Sequence, residues 1–385
     1  MKLLKLLAMT LLIALIVNCA KKEEVKTYEQ YEENGVKITK NNGTPADSTL
    51  ELNLRKVFTI SSQVDSVTML KYVTNIIEDK DQNIYILDGS ASNIKKFNKL
   101  GEFQKIIGRA GQGPGEFHYP AIVFINNDTL TVYNNGSRKV SKFDLDGKFY
   151  YEKKVNSLYF QNGKMSPDGK NLSYDYLKML VVDTKDIIKY GLSVLDVDSV
   201  KEKSEILNRQ YTMADFAAGK FNPIENTVTF CVGSDHTYLS DDSDYQYRFT
   251  GYDKDGNKKM DVKKAYKKIR FTDIEKDDYR AAKSKGTTKN IDDVKAAEFK
   301  KAIHSIHVDK YNRVLVIPVI DRRIDEDGVY LDIFKDGVFL NRVDYKLHDK
   351  DIIGIPLKSS GEEYFSGKRM YFVNVEDMSI DVYDY

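Results

Sequence analysis

Tryptophan is absent, and cysteine occurs only at Cys19 and Cys231. With Cys19 read as a modified N-terminal residue (below), Cys231 is left without a disulfide partner. It sits in the apolar run Thr227-Val-Thr-Phe-Cys-Val232, where a lone thiol is ordinarily inert core. Charge of either sign is not in excess: 59 Lys and Arg against 58 Asp and Glu give a formal net +1, without the basic stripe that nucleic acid requires. No Gly-x-Ser-x-Gly elbow is present. The one glycine-rich loop, Gly108 to Gly115, lacks the Gly-Lys-Ser/Thr ending of a phosphate cradle. Histidine is scarce: His118, His236, His304, His307 and His348. His304-x-x-His307 leads into a strand, where residues three apart point to opposite faces, so the spacing is poor for shared ligation. Asp253-x-Asp255-x-Asn257 opens like a calcium loop. It fails at Lys258, where glycine is needed, and at Lys264, where a glutamate should ligate. No cofactor and no metal site is expected from these patterns.

What is present is repetition. Asp79 to Phe117 reads as three short apolar runs separated by turn residues, which is an antiparallel meander. It closes on Gly108-Arg-Ala-Gly-Gln-Gly-Pro-Gly-Glu-Phe117, a set of tight turns. A shift of 46 positions places Ile84 on Leu130, Ile94 on Val140, Phe97 on Phe143 and Gly101 on Gly147 without a gap. A shift of 230 places Asp79, Lys80 and Ile84 on Asp309, Lys310 and Val314. A shift of 286 places Ile84-Tyr85 on Met370-Tyr371, with Ile94 and Phe97 on Ile380 and Tyr383. Weaker echoes fall at Ser166–Asn171, Tyr252–Gly256 and Ile333–Gly337. Two similar hairpins in a sandwich would not account for the distant matches. A period in the forties with several strands per unit is that of a propeller blade, which buries both faces only between two neighbours. We therefore expect an all-β fold, a six-bladed β-propeller of four-stranded antiparallel blades over residues 49–385. A strand from about residue 50 to 70 should complete the last blade. Blade boundaries within 158–262 are not set by the pattern. Lys258 to Ile303 breaks it, and Thr272-Asp273 and Asn290 read as helix starts, so a small helical insertion is expected near 270–303.

The N-terminus has a different character. Lys2 and Lys5 precede a twelve-residue apolar run from Leu6 to Val17, too short to span a bilayer and fitting a signal peptide over 1–18. Leu15-Ile-Val-Asn-Cys19 resembles a bacterial lipobox, with Asn18 departing from the usual small residue. The resemblance implies lipid attachment at Cys19, each buried methylene holding by about 0.8 kcal/mol. Ala-Lys-Lys-Glu-Glu24 resembles a short surface-export signal. Residues 19–48 are polar and read as a lipidated flexible tether.

Together, Asn83–Asp88, Ile94–Phe97 and Gly108–Phe117 resemble the six-bladed β-propeller lipoproteins with NHL-like repeats of Bacteroidetes and some other Gram-negative-type envelopes. That resemblance implies a location at the cell envelope, lipid-anchored, on the outer membrane and facing the periplasm or the surface. It says little of activity, because propellers host many functions. The expectation is a monomeric binding protein whose ring face takes a protein, peptide or glycan, with no nucleic-acid partner. The alternative is a propeller hydrolase or lyase with a metal at the channel mouth. No catalytic residue is assigned, and the reading leans against an enzyme. Arg109, Gln112, Glu116, His118 and Tyr119 crowd the glycine-rich loop and form the candidate ligand-binding loop, since loops on rigid scaffolds carry function.

Overall fold

The computed structural model describes residues 26–61, 67–155, 159–182, 185–217, 229–240, 245–284, 297–321, 329–345 and 361–385. Cys19, the leader and the second expected helix near Asn290 lie outside them. Three strands precede the first blade: β1 (Tyr28–Glu33), β2 (Val36–Asn41) and β3 (Arg55–Ile60). Blade 1 holds β4 (Val73–Glu78), β5 (Ile84–Asp88), β6 (Asn93–Phe97) and β7 (Phe103–Ile107). Blade 2 holds β8 (Pro120–Asn126), β9 (Thr129–Asn134), β10 (Lys139–Asp144) and β11 (Phe149–Lys154). Blade 3 holds β12 (Tyr159–Met165), β13 (Asn171–Val182), β14 (Lys185–Asp196) and β15 (Lys201–Thr212), followed by a one-turn helix α1 (Met213–Ala217). Blade 4 holds β16 (Thr229–Val232), β17 (Thr237–Ser240), β18 (Arg248–Tyr252) and β19 (Lys258–Lys264), followed by α2 (Asp273–Ser284). Blade 5 holds β20 (Ile303–Val308), β21 (Val314–Pro318), β22 (Val329–Lys335) and β23 (Val338–Tyr345). Blade 6 holds β24 (Gly361–Ser366), β25 (Arg369–Asn374) and β26 (Ile380–Asp384), and its fourth strand is β3. The fold is a six-bladed, all-β propeller.

The repeat seen in sequence has a physical basis. Ile84 and Leu130, Ile94 and Val140, and Phe97 and Phe143 all occupy equivalent buried positions in blades 1 and 2. Gly101 and Gly147 both take positive φ, 82° and 87°, in the turn before the fourth strand. The preceding polar side chain closes that turn in three blades: Asn98, Asp144 and Asp253 each accept from the backbone amides two and four residues on. Asp253 therefore organises a turn. Asp79 and Asp309 do the same between the first and second strands.

The core is divided among the blade interfaces. Each of the six interfaces encloses its own apolar cluster, such as Tyr85, Leu87, Val123 and Val132 between blades 1 and 2, or Phe249, Val262, Val316 and Phe334 between blades 4 and 5. Buried tyrosines tie neighbours together: Tyr85 donates to Leu145 O of blade 2, Tyr371 to Glu78 of blade 1, and Tyr247 to Asp332 of blade 5. The abundance of tyrosine is structural in this sense, a large apolar body with one polar end to satisfy.

Two corrections follow for the N-terminal region and blade 4. Residues 28–41, expected within a flexible tether, form the hairpin β1–β2. It adds in parallel to β19, so the sheet of blade 4 has six strands rather than four. The cause is Asn34-Gly35, both at positive φ (52° and 74°), the turn pair that matches the twist of a two-residue hairpin. The chain then runs along blade 5, with Ala46 N and Asp47 N donating to Phe339 O and Leu340 O, before entering blade 6 as β3. Helix α2 lies where the insertion was expected. Thr272 and Glu275 form a reciprocal cap, Thr272 N to Glu275 Oε2 at 2.8 Å and Glu275 N to Thr272 Oγ1 at 3.3 Å.

Candidate functional site: the central channel

First strands of adjacent blades pack against one another, so they line the axis of the ring. Between them lies a cavity of about 160 Å³ walled by all six, among them Asn75, Phe124, Lys164, Cys231, His307 and Tyr364. Because strands alternate in direction, the end of the ring where first strands begin also carries the links between blades. The glycine-rich loop, helix α2 and the long β13–β14 hairpin all project from that end. Insertions collected on one face of a repeat ring often mark its binding face.

A bulge repeats near the start of the first strands. Register shifts fall at Val73/Asn75, Pro120/Ile122, Phe160/Gly163 and Ile303/Ser305. Such an extra residue re-aims the side chains that follow it. In blade 3 the shift is fixed by Asp175, which accepts from Asn162 N at 2.6 Å and from Asn162 Nδ2 at 3.2 Å. Gly163 lets blade 2 pack closely beside it: a Cβ there would come within 2.3 Å of Ile122 Cδ1, which would have to move. The next residue, Lys164, enters the channel and reaches across to blade 6, its Nζ 5.5 Å from the centre of the Tyr364 ring. Among the described residues, no carboxylate lies within ion-pair distance of that amine. On the wall, His307 Nε2 is 3.0 Å from Ser305 Oγ and 3.8 Å from Glu363 Oε2, and its ring packs on Phe365.

Removal from water dominates the electrostatics. Burial lowers the Lys164 ammonium below its ordinary value, although Cys231, Glu362, Asp175 and Glu363 oppose the shift. Burial raises Glu363 to about 8, with the nearby Glu362 adding and Lys164 subtracting. The shift favours the protonated form of Glu363 at neutral pH. Asp175 rises to about 6 by burial against the two bonds from Asn162. Burial drives the Cys231 thiol far up, so it is no nucleophile at neutral pH. The channel therefore presents an amine, an imidazole, an amide and aromatic faces, with the Glu363 carboxyl behind His307. The side-chain oxygen of Asn75 is buried there without a hydrogen-bond partner.

None of the loop residues singled out from sequence lines this cavity. Arg109 Nε and Gly113 N both donate to Glu116, at 2.8 and 2.9 Å, so these groups hold the loop's own shape. Gln112 is engaged through its backbone oxygen by Lys139 Nζ. His118 and Tyr119 stack at 4.8 Å between ring centres, with Tyr119 mostly exposed on the rim just before β8. Lys164, Glu363 and Tyr364 were not singled out in sequence: Lys164 lies some two hundred residues from the adjacent pair Glu363-Tyr364, and nothing local marks either. His307 was weighed only as a partner of His304, which is not among the cavity's lining residues. Among the described residues, no three His, Cys, Asp or Glu side chains converge to hold a metal ion, and no helix is long and apolar enough to cross a membrane.

A family described as a 6-bladed beta-propeller matches residues 64–232, the region of blades 1 to 3 and the start of blade 4. Among solved structures, the chain is similar to a protein of Bacteroides fragilis NCTC 9343 whose name describes it as exported. The two share 18% identity and a TM-score of 0.52, over 89% of this chain and 97% of that one. Virginiamycin B lyase from Staphylococcus aureus is 11% identical at a TM-score of 0.41, covering 86% and 100% of the two chains. A luciferin-regenerating enzyme is 11% identical at 0.42, covering 85% and 94%. These likenesses concern the fold, and the last two are too distant to bear on chemistry. No curated protein sequence matches the chain.

Proposed function

We propose that the protein is a lipid-anchored envelope protein that binds the neutral, polar end of a glycan at the channel mouth. One observation carries this reading: an amine without an ion-pair partner among the described residues, in a channel whose other polar groups include an amide oxygen without a partner and an imidazole backed by Glu363. Such a mixed set of donors and acceptors, set among Phe124, Tyr364 and Phe365, suits hydroxyl groups on an apolar ring. A cavity of about 160 Å³ takes one small unit, not a folded protein, so a larger partner would insert a terminal residue. Glycan-array screening followed by calorimetry tests it. Lys164→Met should weaken the selected glycan by about tenfold, roughly one charged hydrogen bond. Unchanged affinity in that variant, or an array without a specific signal, defeats the proposal.

Anchoring is proposed from the leader and Cys19, and the exported name of the Bacteroides fragilis neighbour is compatible with it. Cys19→Ala should move the protein from the membrane fraction to the soluble one. Retention with the membrane in that variant would remove lipid attachment as the tether.

A further inference from the structure

Lys164 has a feature that hydrogen bonding to a ligand does not require. It crosses the channel from blade 3 to blade 6, ends beside the face of Tyr364, and has no acid within ion-pair reach among the described residues. Long side chains usually turn a charged end toward water or toward an acid. Here the end is held in a confined space open to a small molecule. Around it stand Glu363, Glu362, Asp175 and Cys231, as the charged or ionisable groups that act on the amine, with His307 also on the wall. A lysine amine in a cavity, with a buried carboxyl 3.8 Å from the wall residue His307, has the parts needed for reversible carbonyl capture.

We propose that Lys164 forms an imine with the carbonyl carbon of a small aldehyde or ketone entering the channel. The open-chain form of a reducing sugar is the member of that class suited to this wall, so the inference rests on the channel-binding reading above. In the first step the Nζ lone pair forms the C–N bond, and the carbonyl π pair moves to oxygen. Oxygen takes a proton from Glu363, and the carboxylate so formed takes one from nitrogen, giving a carbinolamine. In the second, the nitrogen lone pair closes the C=N bond as the hydroxyl leaves, protonated again by Glu363, as water. Loss of the last N–H proton to Glu363 restores the acid. The sum is an amine and a carbonyl giving an imine and water, with no change of oxidation state. Burial favours the neutral form of the amine and the protonated form of Glu363, which is the pairing the first step needs.

The test is reductive trapping on the full chain with glycolaldehyde and sodium cyanoborohydride, read by peptide mass mapping over a short time course. Label should accumulate at Lys164 several-fold faster than at exposed lysines such as Lys105. Lys164→Arg should abolish that fast phase, and Glu363→Gln should slow it while leaving exposed lysines unchanged. Labelling at Lys164 no faster than at Lys105 overturns imine formation. Fast labelling unaffected by Glu363→Gln overturns the proton transfers assigned to Glu363. The two readings separate cleanly: absent labelling with a glycan affinity that still depends on Lys164 removes the imine alone, whereas loss of both removes the channel as the site.

Discussion

Asp332→Ala should cost the ring about 3–5 kcal/mol, the range for removing one member of a buried charge cluster. Asp332 is fully buried on β22 and takes four hydrogen bonds. Lys264 Nζ and Tyr247 OH each donate to Oδ2 at 2.7 Å, and Arg342 donates through Nε to Oδ1 at 2.7 Å and through Nη2 to Oδ2 at 3.0 Å. Two of those donors belong to blade 4 and one to blade 5, so a single carboxylate joins the blades. Alanine would strand a buried ammonium and a buried phenol. Arg342, 41% exposed, can turn to water and softens the loss. Asp332→Asn keeps the shape and some bonds, so its loss should be smaller. The sign with pH is fixed by the folded-state shift. Burial alone would raise Asp332, but the Arg342 hydrogen bond and the Lys264 charge outweigh it and hold it below the usual carboxylate value. This contribution is present above the unfolded carboxylate value near 3.9 and is lost as pH falls toward the lower folded value. Urea titrations at pH 7 and in the acid range check both points. An unfolding free energy for Asp332→Ala within about 0.5 kcal/mol of the parent would show that the cluster contributes nothing net.

The fold was legible because its repeat is written in residues that each blade needs for the same reason. Ile84, Leu130, Val314 and Met370 occupy the same buried step of a second strand, and Gly101 and Gly147 the same left-handed turn. Blade 3 was illegible in part because it departs from the period: β13, β14 and β15 each run twelve residues, so spacing counted from blades 1 and 2 no longer lands on its turns. The hairpin at residues 28–41 was missed for another reason. Its strand Tyr-Glu-Gln-Tyr-Glu-Glu is almost wholly exposed, so polarity suggested a linker, while the Asn34-Gly35 pair that argued for a hairpin went unused. The channel set was illegible in kind. Lys164 is one of many lysines, and only a bulge, Gly163 and the closure of the ring bring it opposite Tyr364. Ring architecture places side chains together that share no local pattern, and composition cannot report such a meeting.

That closure rests on a short stretch near the N-terminus, and its removal should have the largest effect of all. A chain starting at Ser62 lacks β3 and should give no folded monomer. β3 pairs with β26 from Arg55↔Asp384 to Ile60↔Ile380, and its loss would leave β26 as a bare edge with unpaired amides and carbonyls. Leu50, Leu52 and Leu54 pack on the cluster between blades 5 and 6, and Ile60 is buried between blades 6 and 1. Each such side chain contributes up to about 1.5–3 kcal/mol when fully buried. Together they approach the whole stability of an ordinary domain, about 5–15 kcal/mol. A chain starting at Thr44 separates this from the hairpin. It keeps β3 and the leucines but loses β1, β2 and Asn41, whose side chain bonds Lys263 O, Gly337 O and Phe339 N across blades 4 and 5. This longer chain should remain a folded monomer with a lower melting temperature, since β19 still has β18 on its other side. Size-exclusion chromatography and thermal melts by circular dichroism distinguish the two. A monomer from the Ser62 chain melting like the parent would mean that the ring holds without its closing strand. Aggregation of the Thr44 chain would instead place the critical contact in the hairpin, with Asn41 as the residue through which blades 4 and 5 are joined.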